Sequence, residues 1–264
     1  MANRYRSAQT LFEELGISEP EDIQLEAIAQ YCRASVRYKA LEGCEARITG
    51  YGDRAIISVN SSSRRQRQRF SIGHELGHWM CDQGSISFSC AEKIFATEWD
   101  NSNPERRANR YAVDLLLPDP MFRPLAKGRD ITFATVRDLA DRFQTSLIAT
   151  AIRLVETGWL PCMIVCNERG RRRWFFRDPD VQLWPLDQPG SGTIAYDLLR
   201  GADHVETPTP VCADGWIDHK DARRYELQED SFKFPIPNCP DLVLSLLWWK
   251  DEQQLLDLDE HEES

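Results

Sequence analysis

No Cys-x-x-Cys pair occurs in this chain, no apolar run reaches membrane-spanning length, and no internal repeat recurs. The eight cysteines, at positions 32, 44, 81, 90, 162, 166, 212 and 239, are too scattered for a Cys-based zinc site. In 264 residues, enough to build a core, they read as reduced and mostly buried thiols rather than a disulfide frame. The longest apolar stretch, around Leu242 to Trp249, is too short to cross a bilayer, and the opening MANRYRSAQTLFEELG lacks the apolar segment of a secretory signal. These absences point to a cytoplasmic protein with no membrane anchor. Basic charge is deficient in one region only. Residues 1–130 hold 18 basic and 18 acidic side chains and residues 131–158 hold 3 of each, whereas residues 159–264 hold 11 and 21. The net charge of −10 therefore belongs to the C-terminal third, and the last fourteen residues, DEQQLLDLDEHEES, carry seven acids with no Lys or Arg. Such a chain is a poor non-specific coat for nucleic acid.

What is present describes a globular chain of mixed structure. Helical spacing marks Tyr5–Leu15 and Glu21–Ala34. Three β-like runs follow, VRYKAL, EARIT and RAIISV, with Glu42-Gly43 and Gly50-Tyr51-Gly52-Asp53 between them as hairpin turns. A helix through RQRFSIGHELGHWM has Ser61, Ser62 and Ser63 as candidate caps, and a second, PERRANRYAVDLLL, has Asn103 as cap and Pro104 in its first turn. Two amphipathic helices, Phe133–Phe143 and Leu147–Glu156, meet at Gln144-Thr145-Ser146, with Gly158 closing the second. Beyond Leu160, the strand-like runs CMIVCN, RRWFFR, HVETP, RRYELQ and LVLSLLWW alternate with turns and one short helix, TIAYDLLR. The order indicates an α+β fold in parts: residues 1–128, a helix–turn–helix region at 129–158, a second small α+β domain at 159–250, and a solvated acidic tail at 251–264. Trp174, Phe175, Trp216, Trp248 and Trp249 are expected mostly to fill the core of the second domain.

The chemistry concentrates in His74-Glu75-Leu76-Gly77-His78. Residues four apart on a helix share a face, so both imidazoles can reach one metal ion, while Glu75 lies about 100° round the helix, beside the ion, where it can take a proton from water. The plain alternative is a helix with two surface histidines. Gly73 and Gly77, four apart, weaken a helix by about 1 kcal/mol each and are tolerated where another element must approach closely. The preceding strand, Arg54–Val59, would run beside the site and offer an edge to an extended peptide. A catalytic zinc needs a third protein ligand. The other histidines, His204, His219 and His261, lie far down the chain, which leaves Glu92, Glu98, Asp100 and Glu105. Glu105 fits best because it shares a helix face with Ala108, Ala112 and Leu115–Leu116, where an unpaired acid is costly; the helix dipole alone also favours an acid there. Glu98 is next.

The string RQRFSIGHELGH, followed after a polar spacer by PERRANRYAVDLLLP, resembles the ImmA/IrrE family of zinc metallopeptidases, and MIVCNERGRRRWFF extends the likeness to the longer, IrrE-like members. The resemblance implies a zincin-like peptidase domain, a helix–turn–helix and a GAF-like C-terminal domain. It implies zinc (Zn²⁺) held by His74, His78 and Glu105, with Glu75 as general base and Asn109, one turn beyond Glu105, as support. It also implies that the substrate is a helix–turn–helix transcriptional repressor, cleaved to release stress-response or mobile-element genes. The contrasting reading is a non-proteolytic regulator that binds a repressor or DNA. Direct DNA binding is disfavoured: the second helix of the 131–158 pair offers Arg153 alone, balanced by Glu156, and the turn has Gln144 where Gly is usual. The run Arg171-Arg172-Arg173 sits in a hairpin beside Glu168 and Asp178 and reads as a solvated turn.

Overall fold

The computed structural model describes residues 5–82, 88–89, 103–157, 160–203, 207–234 and 242–260. It divides into two compact units, Met1–Leu125 with Leu139–Ala149, and Ala126–Asp138 with Thr150–Ser264.

The first unit opens with α1 (Ala8–Leu15), capped by Ser7, whose hydroxyl accepts from the Thr10 amide at 3.1 Å. The helix expected from Glu21 is interrupted. Pro20–Asp22 forms a 3₁₀ turn, and α2 runs only Leu25–Tyr31. The buried guanidinium of Arg69 donates to the Ile23 carbonyl at 3.3 Å, which occupies an acceptor that a continuous helix would use itself. Arg33, at φ +61°, then turns the chain so that Ala34 begins a strand instead of ending the helix.

The sheet comprises β1 (Ala34–Lys39), β2 (Ala46–Tyr51), β3 (Arg54–Asn60) and β4 (Phe88–Ser89) in the order β1-β3-β2-β4. Only the Gly52-Asp53 turn is a hairpin between neighbours. β1 pairs parallel with β3, so the Glu42-Gly43 segment links strands on either side of it. Ala55, Ile57 and Val59 are buried along β3, and a strand so apolar on one face is best served in the middle. Both its edges are therefore occupied, which corrects the expectation that Arg54–Val59 offers an edge to a peptide.

The long helix α3 (Arg65–Cys81) lies on the buried face of β2 and β3. Its cap is Arg64, with no side-chain cap bond; of the expected serine caps, Ser63 instead donates to Glu45. α4 (Pro104–Leu116) begins as read, with the Asn103 side chain accepting from the Glu105 amide at 3.0 Å. α5 (Asp119–Ala126) follows the Leu117-Pro118 break.

The two amphipathic helices are α6 (Phe133–Phe143) and α7 (Leu147–Glu156), at the expected bounds. They do not form a unit of their own. The first half of α6 belongs to the second unit, where Asp230 accepts from the Phe133 amide at 2.6 Å and the Phe133 ring meets Phe232 edge-on at 4.6 Å. Its second half belongs to the first unit, where Phe143 packs on Phe122 at 5.4 Å. Gln144 takes φ +53°, the left-handed conformation that Gly would supply at this turn.

In the second unit β5 (Cys162–Glu168), β6 (Arg171–Arg177), β7 (Thr209–Cys212), β8 (Glu226–Phe234) and β9 (Leu242–Trp248) form an antiparallel sheet ordered β6-β5-β9-β8-β7. β5 and β9 are buried on both faces, which explains their near-continuous apolar sequences. One face carries α8 (Ile194–Leu199) and α9 (Gln253–Glu260), and Trp216 and Trp249 are fully buried in that core. α9 lies inside the stretch expected to be a solvated tail. Leu255 and Leu258, three apart, are 5% and 0% exposed and complete the core, so solvation applies to the exposed Asp251 and Glu252 and not to the whole segment. Of the strand expected at HVETP, residues 204–206 lie outside the described set, as does Gly158; β7 begins at Thr209. Among the described residues no helix is long and apolar enough to cross a membrane.

Candidate metal centre

The two glycines of α3 set the geometry. A Cβ on Gly77 would lie 2.8 Å from the Ala108 Cα, and one on Gly73 would lie 3.2 Å from the Ala112 Cβ. The pairs run in opposite chain directions, so α3 and α4 are antiparallel with backbones in near contact along two successive turns. That approach carries Glu105, in the first turn of α4, to the imidazoles of α3.

His74 Nε2 and His78 Nε2 are 3.1 Å apart. Glu105 Oε2 lies 3.3 Å from the first and Glu105 Oε1 3.3 Å from the second. These donors can be tested against a metal ion by their mutual separations. Atoms held about 2.0–2.1 Å from a tetrahedral ion stand about 3.3–3.4 Å from each other, so the triangle has the right size. The opposite ring nitrogens are engaged as well: His74 Nδ1 faces Asn109 Oδ1 at 2.8 Å, and His78 Nδ1 faces Asp82 Oδ2 at 3.0 Å. Nδ1–H donation to those oxygens leaves both Nε2 lone pairs aimed inward. Two lone pairs and a carboxylate converging at such distances repel unless a cation lies among them. Burial and the adjacent His78 hold His74 below the ordinary imidazole range, which favours the neutral, ligating form. Among the described residues His74, His78 and Glu105 are the group whose donor atoms could hold a metal ion.

Glu75 is fully buried, while the Glu105 side chain is 47% exposed, so the cluster opens to solvent on the α4 side. A buried carboxylate is tolerated where a cation or a proton accompanies it. Phe70 stacks on His74 with ring centroids 6.2 Å apart and forms part of the wall.

The family model described as IrrE N-terminal-like domain, a peptidase family, matches residues 29–155. That match includes α3, α4 and every residue of the cluster. Over residues 29–155, just under half of its length, the chain is similar to the ImmA/IrrE family. It is 24% identical over 178 residues to the radiation response metalloprotease IrrE of Deinococcus radiodurans, a match covering 67% of this chain and 54% of the relative, so it spans about half the length of that protein. Among solved structures it is similar to a Mycobacterium tuberculosis transcriptional regulator, with a TM-score of 0.60 at 14% identity, covering 94% of this chain and 76% of that one; at this identity the likeness concerns the fold.

The structure brings together His74, His78, Glu105 and Asn109, all named from the sequence. Glu92, Glu98 and Asp100, the other carboxylates considered, lie outside the described residues, as do His204 and His261. The sequence reading missed Asp82 and its ion-pair partner Arg107. The available signal was the spacing: Asp82 stands four residues beyond His78, one helical turn on. Arg153, considered as a contact to DNA, is buried and paired with Glu156 at 3.0 Å.

Proposed function

We propose that this chain is a zinc-dependent endopeptidase that cleaves a helix–turn–helix transcriptional repressor and so derepresses stress-response or mobile-element genes. The observation that carries the catalytic part is the convergence of two Nε2 atoms and a carboxylate at 3.1–3.3 Å, with the fully buried Glu75 next to His74 on the same helix. His74, His78 and Glu105 are the residues that would hold the ion. Zinc supplies Lewis acidity for the scissile carbonyl and makes water a better nucleophile near neutral pH. Glu75 accepts the proton from the attacking water and delivers it to the amide nitrogen as the carbon–nitrogen bond breaks, which converts a poor leaving group into an amine. The two-atom span of the Glu105 carboxylate meets both imidazoles at once, and Asn109 holds His74 in the orientation that keeps its Nε2 inward.

The choice of substrate rests on the family resemblance. The burial and pairing of Arg153 favour a protein partner over DNA, since the α7 helix then has no arginine to offer a phosphate. The second unit we read as a GAF-like regulatory domain, and the free thiols of the described cysteines support a reducing, cytoplasmic compartment. The test is Glu75→Gln, assayed on a helix–turn–helix repressor that the wild type cleaves. Cleavage should vanish while one equivalent of zinc is retained. Continued cleavage by that variant would refute the mechanism, and steeply salt-dependent DNA binding by a wild type that cleaves nothing would favour the regulator reading.

A further inference from the structure

Asp82 closes α3 as its C-terminal cap residue, where the helix dipole opposes a negative charge by about 0.3–1 kcal/mol. Its side chain is nevertheless 6% exposed and engaged at both oxygens. Oδ2 lies 3.0 Å from His78 Nδ1, and Oδ1 is ion-paired with the guanidinium of Arg107, two residues beyond Glu105 on α4. An acid placed against the dipole, nearly buried, and neutralised from the neighbouring helix calls for an explanation beyond surface charge. Its contact with one ring nitrogen of His78 provides one, because the other nitrogen of that ring faces the metal cluster.

We propose that Asp82, held by Arg107, is a positioning residue that fixes His78 in its Nδ1–H tautomer and orients the Nε2 lone pair toward the metal. This rests on the reading of His74, His78 and Glu105 as metal ligands. A neutral imidazole has one N–H, and the acceptor it faces decides which nitrogen carries it. With Asp82 accepting from Nδ1, Nε2 remains a lone pair. Asn109 does the corresponding work for His74 with a neutral amide at 2.8 Å. Arg107 contributes by neutralising Asp82, since the last turn of α3 holds no Lys or Arg. The α4 helix thus provides a ligand through Glu105 and governs both histidine rings, one directly and one through the Arg107–Asp82 pair.

The experiment compares the full-length wild type with Asp82→Ala, Asp82→Asn and Arg107→Met. Zinc affinity is read by competition with a chromophoric chelator, and the His78 tautomer by ¹⁵N chemical shifts of the metal-free protein. Asp82→Ala should weaken zinc binding by about 10–100-fold, Asp82→Asn should fall toward the lower end of that range, and Arg107→Met should have the smallest effect. In the alanine variant His78 should leave the Nδ1–H form. Should Asp82→Ala fail to fold, the isosteric Asp82→Asn decides by the same two readings. A strap that merely ties α3 to α4 predicts lower melting temperatures with zinc affinity within about twofold and an unchanged tautomer, and that result overturns the proposal. Absence of zinc uptake by the wild type would overturn the functional reading instead; the tautomer shift, which needs no metal, still decides the role of Asp82.

Discussion

Substituting Gly77 by alanine tests whether the close approach of α3 and α4 builds the site. The added Cβ would stand 2.8 Å from the Ala108 Cα, 2.9 Å from its carbonyl oxygen and 3.1 Å from the Tyr111 Cβ. Ordinary carbon contacts lie at about 3.5–4.0 Å, so α4 must withdraw by about 0.7 Å at this turn, and two of the obstructing atoms are backbone and cannot rotate away. Helix propensity favours alanine by about 1 kcal/mol, whereas overpacking of this kind costs about 1–3 kcal/mol, which leaves a net loss of up to about 2 kcal/mol. The larger effect falls on the ligands. Ala108 lies one turn from Glu105, and metal–ligand distances tolerate only about 0.2 Å, so a shift of several tenths at the carboxylate should weaken zinc binding by about tenfold or more. Gly73→Ala is the internal control: its Cβ meets the Ala112 Cβ at 3.2 Å, and a few tenths of an ångström relieve it. Urea denaturation and chelator competition on both variants read the two quantities. If Gly77→Ala proves as stable as the wild type and binds zinc equally well, the close-approach account is wrong.

Two further expectations concern the second unit. Glu229 is fully buried on β8 and accepts from the Ile194 and Ala195 amides, Trp216 Nε1 and Ser231 Oγ. Burial raises its carboxyl above the ordinary 4.5, so its contribution to stability is complete below that value and declines as pH rises through the raised one; Glu229→Gln should flatten this slope, and an unchanged slope in urea melts at successive pH values would contradict burial as its cause. Leu258→Ala should lose about 2–5 kcal/mol, because Leu258 is completely buried in the core, while Leu256→Ala, at a site 54% exposed, should stay within about 0.5 kcal/mol; equal small effects at both would show that α9 does not dock.

The site was legible because most of its information is local. His74 and His78 need only the turn of one helix to face the same way, and the pairing of Gly73 with Gly77 announced a close neighbour before that neighbour was known. Asn103 and Pro104 marked the start of α4, and with it the place of Glu105 in a first turn. The misreadings share the opposite property. The two turns at Glu42-Gly43 and Gly52-Asp53 look alike in composition, yet only one joins paired strands, because β3 is drawn between β1 and β2 by the burial of Ala55, Ile57 and Val59. The acids of the last segment hid two leucines at helical spacing, and the expected helix start at Glu21 gave way because Arg69, from a distant helix, takes the Ile23 carbonyl.

By itself, then, the sequence determined the face of α3 that carries both imidazoles, the helix that carries Glu105, and the acidic bias of the C-terminal third, since spacing and composition act through geometry within a few residues. Tertiary structure alone decided that Glu105 meets both imidazoles at 3.3 Å, that Asp82 and Arg107 stand behind His78, and that α6 divides between two units. Those outcomes depend on which surfaces of distant segments bury each other, a balance of packing and desolvation summed over the chain. No short window of sequence contains that sum.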